Sequence, residues 1–148
     1  MLLKKKKPPT TQRRFTSPWL ELDYLCTKVR FWLYTRKAKH RAERYLKRLE
    51  NVLAHVPENE VAIIRQEGFA LLHELMGNVS ASIVHRQREI ELIERLHREA
   101  RLPRYSESTR AYMLQGLDEA ALQERREVLK SLMRRKLDAD SNGTRVTK

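Results

Sequence analysis

Leu71-Leu72-His73-Glu74-Leu75-Met76-Gly77-Asn78-Val79-Ser80-Ala81-Ser82-Ile83 sits inside an almost loop-free periodic stretch that runs from Pro57 to Arg101. Apolar residues recur at steps of three and four on both sides of it, as Ile64, Leu72 and Leu75 before and Ile83, Ile90 and Ile93 after, which is the helical period. One continuous helix through Val79 could join the two phases. Gly77, however, is the residue type that follows a helix C-terminus, and Ser80 suits the cap of a new helix. Ala81 and Ser82 are small enough for two helices to approach closely. We therefore read Gly77 as a corner between helices at about 58–76 and 80–101, the first opened by Pro57-Glu58-Asn59-Glu60 with acids at its positive end.

Upstream, Ser17-Pro18 is a helix start: the serine can cap free amides, proline loses nothing at the first helical position, and Glu21 and Asp23 complement the dipole. A seam of Leu22, Leu25, Val29, Trp32, Thr35, Ala38, Ala42, Tyr45, Leu49 and Val52 follows at helical steps until Pro57. It predicts one long helix over about 18–55, roughly 55 Å at 1.5 Å per residue. Near its start Trp19, Tyr24, Phe31, Trp32 and Tyr34 cover too much of the circumference to pack on a single neighbour. We read them mainly as a broad core stripe, and as candidates for contact with a partner protein. Glu21, Asp23, Lys28 and Arg30 exclude a membrane span there and argue against membrane-surface contact.

Downstream, Pro103-Arg104-Tyr105 reads as a linker, Ser106 or Ser108 caps a helix at about 106–115, and Gly116 breaks it before a last helix at about 118–137. Asp138 to Lys148 is polar, contains Asn142-Gly143, and is expected to be disordered, as is the basic arm 1–16. A single helical domain over 17–137 lies between these tails. Gly77 to Ile83 is echoed 39 residues later by Gly116 to Leu122, with Arg86 matching Arg125, Ile90 matching Leu129 and Ile93 matching Leu132. Ala70 to Asn78, followed by Ser82-Ile83 and Ile90-Glu91-Leu92, resembles a tetratricopeptide repeat hairpin over about residues 63–96, with a degenerate second copy near 108–137. Gln66, Ser82, Arg86 and Glu89 depart from that family's pattern. The resemblance implies an all-α antiparallel bundle of helical hairpins, covered by the long first helix, that holds a partner peptide or helix in its groove.

The chain has 148 residues, 34% of them charged, and a net charge of +12. The charge is segmented. Residues 1 to 17 hold six cations and no acid, 28 to 48 hold nine Lys or Arg against Glu43 alone, and 49 to 76 hold five Glu against Arg65. Such blocks attract phosphates or acidic proteins in a salt-dependent way. Candidate polyanion contacts are Lys4, Lys5, Lys6, Lys7, Arg13 and Arg14 in the arm, and Arg36, Lys37, Lys39, Arg41, Arg44, Lys47 and Arg48 in the first helix. Arg134 and Arg135 extend the set in the last helix. A lone Cys26 and the absence of an apolar leader after Met1 suit a cytoplasmic protein. Glu94 and His97 share a helical face without a second such pair, and there is no Gly-rich phosphate loop or nucleophile elbow. The expectation is a protein without catalysis, metal or cofactor: a helical protein-protein interaction module, a small basic subunit or adaptor of a larger assembly. The alternative is a nucleic-acid-binding subunit that uses the basic arm and helix faces.

Overall fold

The computed structural model describes residues 17–57 and 62–146, with side chains through residue 141, and these form an all-α bundle. α1 (Pro18–Arg30) passes into one π turn (Phe31–Thr35); after a bend, α2 (Lys39–Ala42) leads through a 3-10 turn (Glu43–Tyr45) into α3 (Leu46–His55). α4 (Ala62–Leu75), α5 (Val79–Ala100), α6 (Glu107–Met113) and α7 (Glu119–Val146) follow. α4 packs on α1 and α3 and also on α5, and α5 carries α7. Among the described residues no helix is long and apolar enough to cross a membrane. The arm 1–16 and the expected start of α4 at Glu58 to Val61 lie outside the described residues.

The single long helix expected over 18–55 is not formed. The chain bends at Arg36, Lys37 and Ala38, with Lys37 in the left-handed region at φ 51°. The bend is closed by hydrogen bonds from Arg36 N to Phe31 O (2.9 Å) and from Ala38 N to Trp32 O (2.7 Å). Burial explains the break. Leu22, Leu25, Cys26 and Val29 of α1 join Leu49, Val52 and Leu53 of α3 and Leu71, Leu72 and Leu75 of α4 in one apolar cluster. Each large side chain contributes about 1.5–3 kcal/mol when fully buried. One strained non-glycine residue costs about 1–3 kcal/mol, so folding the two halves against α4 wins. Gly68 permits the approach, since a Cβ there would lie 2.9 Å from Leu53 Cδ2 and 3.0 Å from Leu22 Cδ1.

At Gly77 the chain reverses. Gly77 adopts φ 82°, Asn78 N donates to His73 O at 2.8 Å and Gly77 N to Glu74 O at 3.1 Å, the paired bonds that close a helix C-terminus around a left-handed residue. The cap of α5 is Asn78, whose Oδ1 accepts from Ala81 N at 3.2 Å. Ser80, expected in that role, instead lies inside the first turn of α5. α4 and α5 then run antiparallel: Ser82 Oγ donates to Ala70 O at 2.7 Å and His85 Nδ1 meets Gln66 Oε1 at 2.8 Å. Ser17 and Ser106 do cap α1 and α6.

A second apolar cluster, Ile90, Ile93 and Leu122 with Ile63, Leu117 and Leu129 packed against it, joins α4, α5 and α7. α6 is shorter than expected, and α7 continues through Val146 rather than stopping at 137 before a disordered tail. Asn142-Gly143 therefore lies within a helix, where a glycine costs only about 1 kcal/mol relative to alanine.

Candidate functional site

Between the two apolar clusters lies a buried layer of charge. Glu67, Glu74, Arg86, Glu89 and Arg125 are all less than a tenth exposed. They occupy positions where the helical period calls for apolar residues: on α5 the buried positions are Ser82, Ile83, Arg86, Glu89, Ile90, Ile93, His97 and Ala100. Charged side chains survive in a core only when paired, and these are. Arg86 NH1 donates to Glu89 Oε1 at 2.7 Å, and Arg125 Nε donates to Glu89 Oε2, also at 2.7 Å. Glu67 Oε2 is surrounded by Arg30 Nε at 3.3 Å, Arg125 NH2 at 3.5 Å and Arg86 NH1 at 3.7 Å. It makes no hydrogen bond to any of them. Three guanidiniums thus face two carboxylates. Glu74 extends the layer, accepting from Tyr34 Oη at 2.6 Å and from Arg135 NH1 at 3.2 Å, and Arg86 NH2 donates to Tyr34 Oη at 3.2 Å.

These environments set the protonation chemistry. Burial, followed by the charge of Glu67, pushes the Cys26 thiol well above its ordinary range, which leaves it a poor nucleophile. Burial likewise pushes the Tyr34 phenol up, against the pull of Arg86. The Glu89 carboxyl is also raised by burial, with Arg86 and Arg125 pulling the other way. Burial works against the charge on Arg86, but Glu89, Tyr34 and Glu67 hold its guanidinium above the ordinary value. The layer is built to hold position: each acid is held by guanidiniums and each phenol or thiol is kept neutral.

One side of the layer opens to solvent. Arg30, Glu67 and Arg125 form the floor of a cavity of about 750 Å³. Trp19 from α1, Ile63 and Ile64 from α4, Leu92 and Leu96 from α5 and Leu117 from the turn before α7 line its walls, with Asp23, Arg95, Glu99 and Gln115 also lining it. The mouth is shaped by Gly116, whose φ of 75° turns the chain from α6 toward α7. Asp118 Oδ1 then caps α7 by accepting from Ala121 N at 2.9 Å, and His97 Nε2 holds the turn through Leu117 O at 2.6 Å.

The residues singled out from sequence fall into distinct places. Trp19 is 40% exposed and lines the cavity. Tyr24, Trp32 and Tyr34 are half-buried against the first apolar cluster, and Phe31 is exposed beside Trp32. Of the cations, Arg48 is committed to Glu21 at 3.0 Å and Arg135 to Glu74, while Arg134 is exposed on α7. Arg36, Lys37, Lys39, Arg41, Arg44 and Lys47 are exposed around the α1–α2 bend. Lys4, Lys5, Lys6, Lys7, Arg13 and Arg14 lie outside the described residues. Glu94 and His97 diverge, Glu94 pairing with Arg126 at 2.9 Å and His97 turning to Leu117. Among the described residues no three metal-type side chains converge.

Sequence reasoning did not single out Glu67, Glu74, Glu89 or Arg125 as a cluster. The available signal was their register, since each stands on an apolar seam; Arg86 and Arg125, equivalent in the 39-residue echo, meet at the same two carboxylates. Comparison with known proteins finds no matching family model, no matching curated protein and no matching solved structure.

Proposed function

We propose that the protein is a non-catalytic helical interaction module that holds a segment of a partner protein in the groove between α1, α4, α5 and the α6–α7 turn. The observation that carries this reading is the cavity of about 750 Å³, apolar on its walls and charged on its floor. The floor guanidiniums and carboxylates already satisfy one another, so affinity comes from the apolar walls. The segment that fits carries one or two large apolar side chains. The antiparallel α4–α5 pair and the tetratricopeptide-like residues around 63–96 support the same use of the fold.

Photocrosslinking tests it. With a benzophenone amino acid at Leu96, inside the groove, a discrete protein adduct is expected in native cells. It should disappear when Leu92→Arg, checked for helicity, is introduced alongside. A partner still captured by the Leu92→Arg protein, or an adduct only to the chain's own residues 1–16, would overturn the reading.

A further inference from the structure

The bend that breaks the first helix has a second consequence. Along a straight helix the cations of residues 28–48 would be wound around the circumference; the turn at Lys37 gathers them on one elbow. Arg36, Lys37, Lys39, Arg41, Arg44 and Lys47 are exposed there. None of the six has a carboxylate partner among the described residues, whereas nearby Arg30 and Arg48 are held by Glu67 and Glu21. Aromatic rings are set among them. Phe31 is 41% exposed, with Arg36 over its ring at 5.9 Å from the centroid and Trp32 packed edge-on at 5.0 Å. Arg41 covers Trp32 at 5.0 Å. The π turn that presents Phe31 is a rare geometry that recurs at functional sites.

We infer that this elbow binds single-stranded nucleic acid, its cations taking phosphates and the exposed face of Phe31 stacking on a base. An unpaired base offers a π-face to a ring bordered by positive charge, whereas a duplex hides its bases from such a ring. A lipid surface fits less well. Trp32 is half-buried under Arg41, and the exposed apolar Trp19 and Leu20 lie at the other end of α1, about 18 Å away at 1.5 Å per residue. The inference is independent of the groove, whose lining includes none of the elbow residues Phe31, Arg36, Lys37, Lys39, Arg41, Arg44 and Lys47.

Fluorescence anisotropy of the full chain with a labelled oligouridine of about ten nucleotides, within the site sizes of single-strand binders, tests it beside an RNA duplex of equal length and vesicles containing about a third phosphatidylserine. The single strand is expected to bind best. Phe31→Ala should weaken that binding about 5- to 150-fold, the factor for losing one stacked base, with little change in salt dependence. Phe31→Leu keeps apolar bulk without a π-face and should lose comparably; Phe31→Trp should restore binding. Lys39→Gln with Arg44→Gln should reduce the slope of log affinity against log salt by about 1.4, at about 0.7 per phosphate released. Equal binding of duplex together with an unaffected Phe31→Leu protein would overturn the inference, and so would binding to vesicles but not to the strand. A salt slope unchanged by Lys39→Gln and Arg44→Gln would place the phosphates elsewhere, and overturn it too.

Discussion

Removing Arg86 and Glu89 singly and together tests the buried charge layer. Arg86 is 1% exposed and anchors Glu89 at 2.7 Å and Tyr34 at 3.2 Å. Its own Nε has no acceptor among the described residues. Breaking one side of a buried pair costs about 3–5 kcal/mol because the other charge is stranded. Arg86→Met leaves Glu89 held by Arg125 at 2.7 Å and Glu67 held by Arg30 and Arg125, two carboxylates facing two guanidiniums, so the cost falls near the low end, about 3 kcal/mol. Glu89→Leu leaves three guanidiniums around Glu67 alone, the nearest at 3.3 Å, and falls near the high end, about 5 kcal/mol. The double substitution removes one charge of each sign and should cost less than the sum of the two. In urea unfolding followed by far-UV circular dichroism the order is therefore Glu89→Leu below Arg86→Met. Thermal midpoints should fall by roughly 10–20 °C and 6–12 °C respectively, at about 2–4 °C per kcal/mol for a chain of this size. Additive single effects, or Arg86→Met the more damaging of the two, would refute charge balance as the organising rule of the layer.

The remaining predictions concern packing and pH. Gly68→Ala should destabilise by about 1–3 kcal/mol through overpacking, because its Cβ meets Leu53 and Leu22 at 2.9 and 3.0 Å. Gly77→Ala, with open space around it but φ 82°, should cost about 1–2 kcal/mol from the backbone alone. Gly77→Asn should cost less, since asparagine tolerates that region; denaturant midpoints read all three. His85 stacks between Phe69 and His73, and burial, then His73 and Arg65, lowers its pKa from 6.5. A lowered histidine means that the unfolded chain takes up the proton first. Stability should therefore be highest above 6.5, fall as pH drops below that value, and level off once the folded imidazole is also protonated. In His85→Gln the melting temperature should lose this dependence, and an unchanged slope would assign it to other groups.

What the sequence disclosed about the fold, and what it hid, divides along a physical line. Corners that rest on local chemistry were legible. Gly77 and Gly116 take positive φ, and Ser17 and Ser106 cap the helices that follow them. The break at Arg36–Ala38 contains no glycine, proline or asparagine, and it exists because α1, α3 and α4 share one apolar cluster, so nothing local announces it. The same holds for the site. Trp19 belongs to the set of five aromatics read mainly as a core stripe, and it lines the cavity, but the floor beneath it depends on ion pairs that join α1, α4, α5 and α7 across long stretches of chain. Glu67 and Glu89 read as ordinary charges of a wet helix until those partners are placed.

A leucine seam would hold these helices at least as firmly, because burying ions costs several kcal/mol that pairing only offsets. What an apolar seam leaves loose is rotation and register. Arg125 reaches three directions at once: Nε to Glu89 at 2.7 Å, NH1 to Ala121 O at 3.1 Å, and NH2 toward Glu67 at 3.5 Å. Ala121 is one turn back on α7 itself and fixes the guanidinium to its own helix, so a turn of α7 about its axis breaks the contacts to Glu89 and Glu67 together. That matters at the groove, where α4 supplies Ile63 and Ile64, α5 supplies Leu92 and Leu96, and the segment leading into α7 supplies Leu117. These walls belong to separate helices, and their spacing is only as definite as the register between them. The buried layer ties the three helices at the depth of the groove floor, so the charges that cost stability are also those that hold the apolar walls apart.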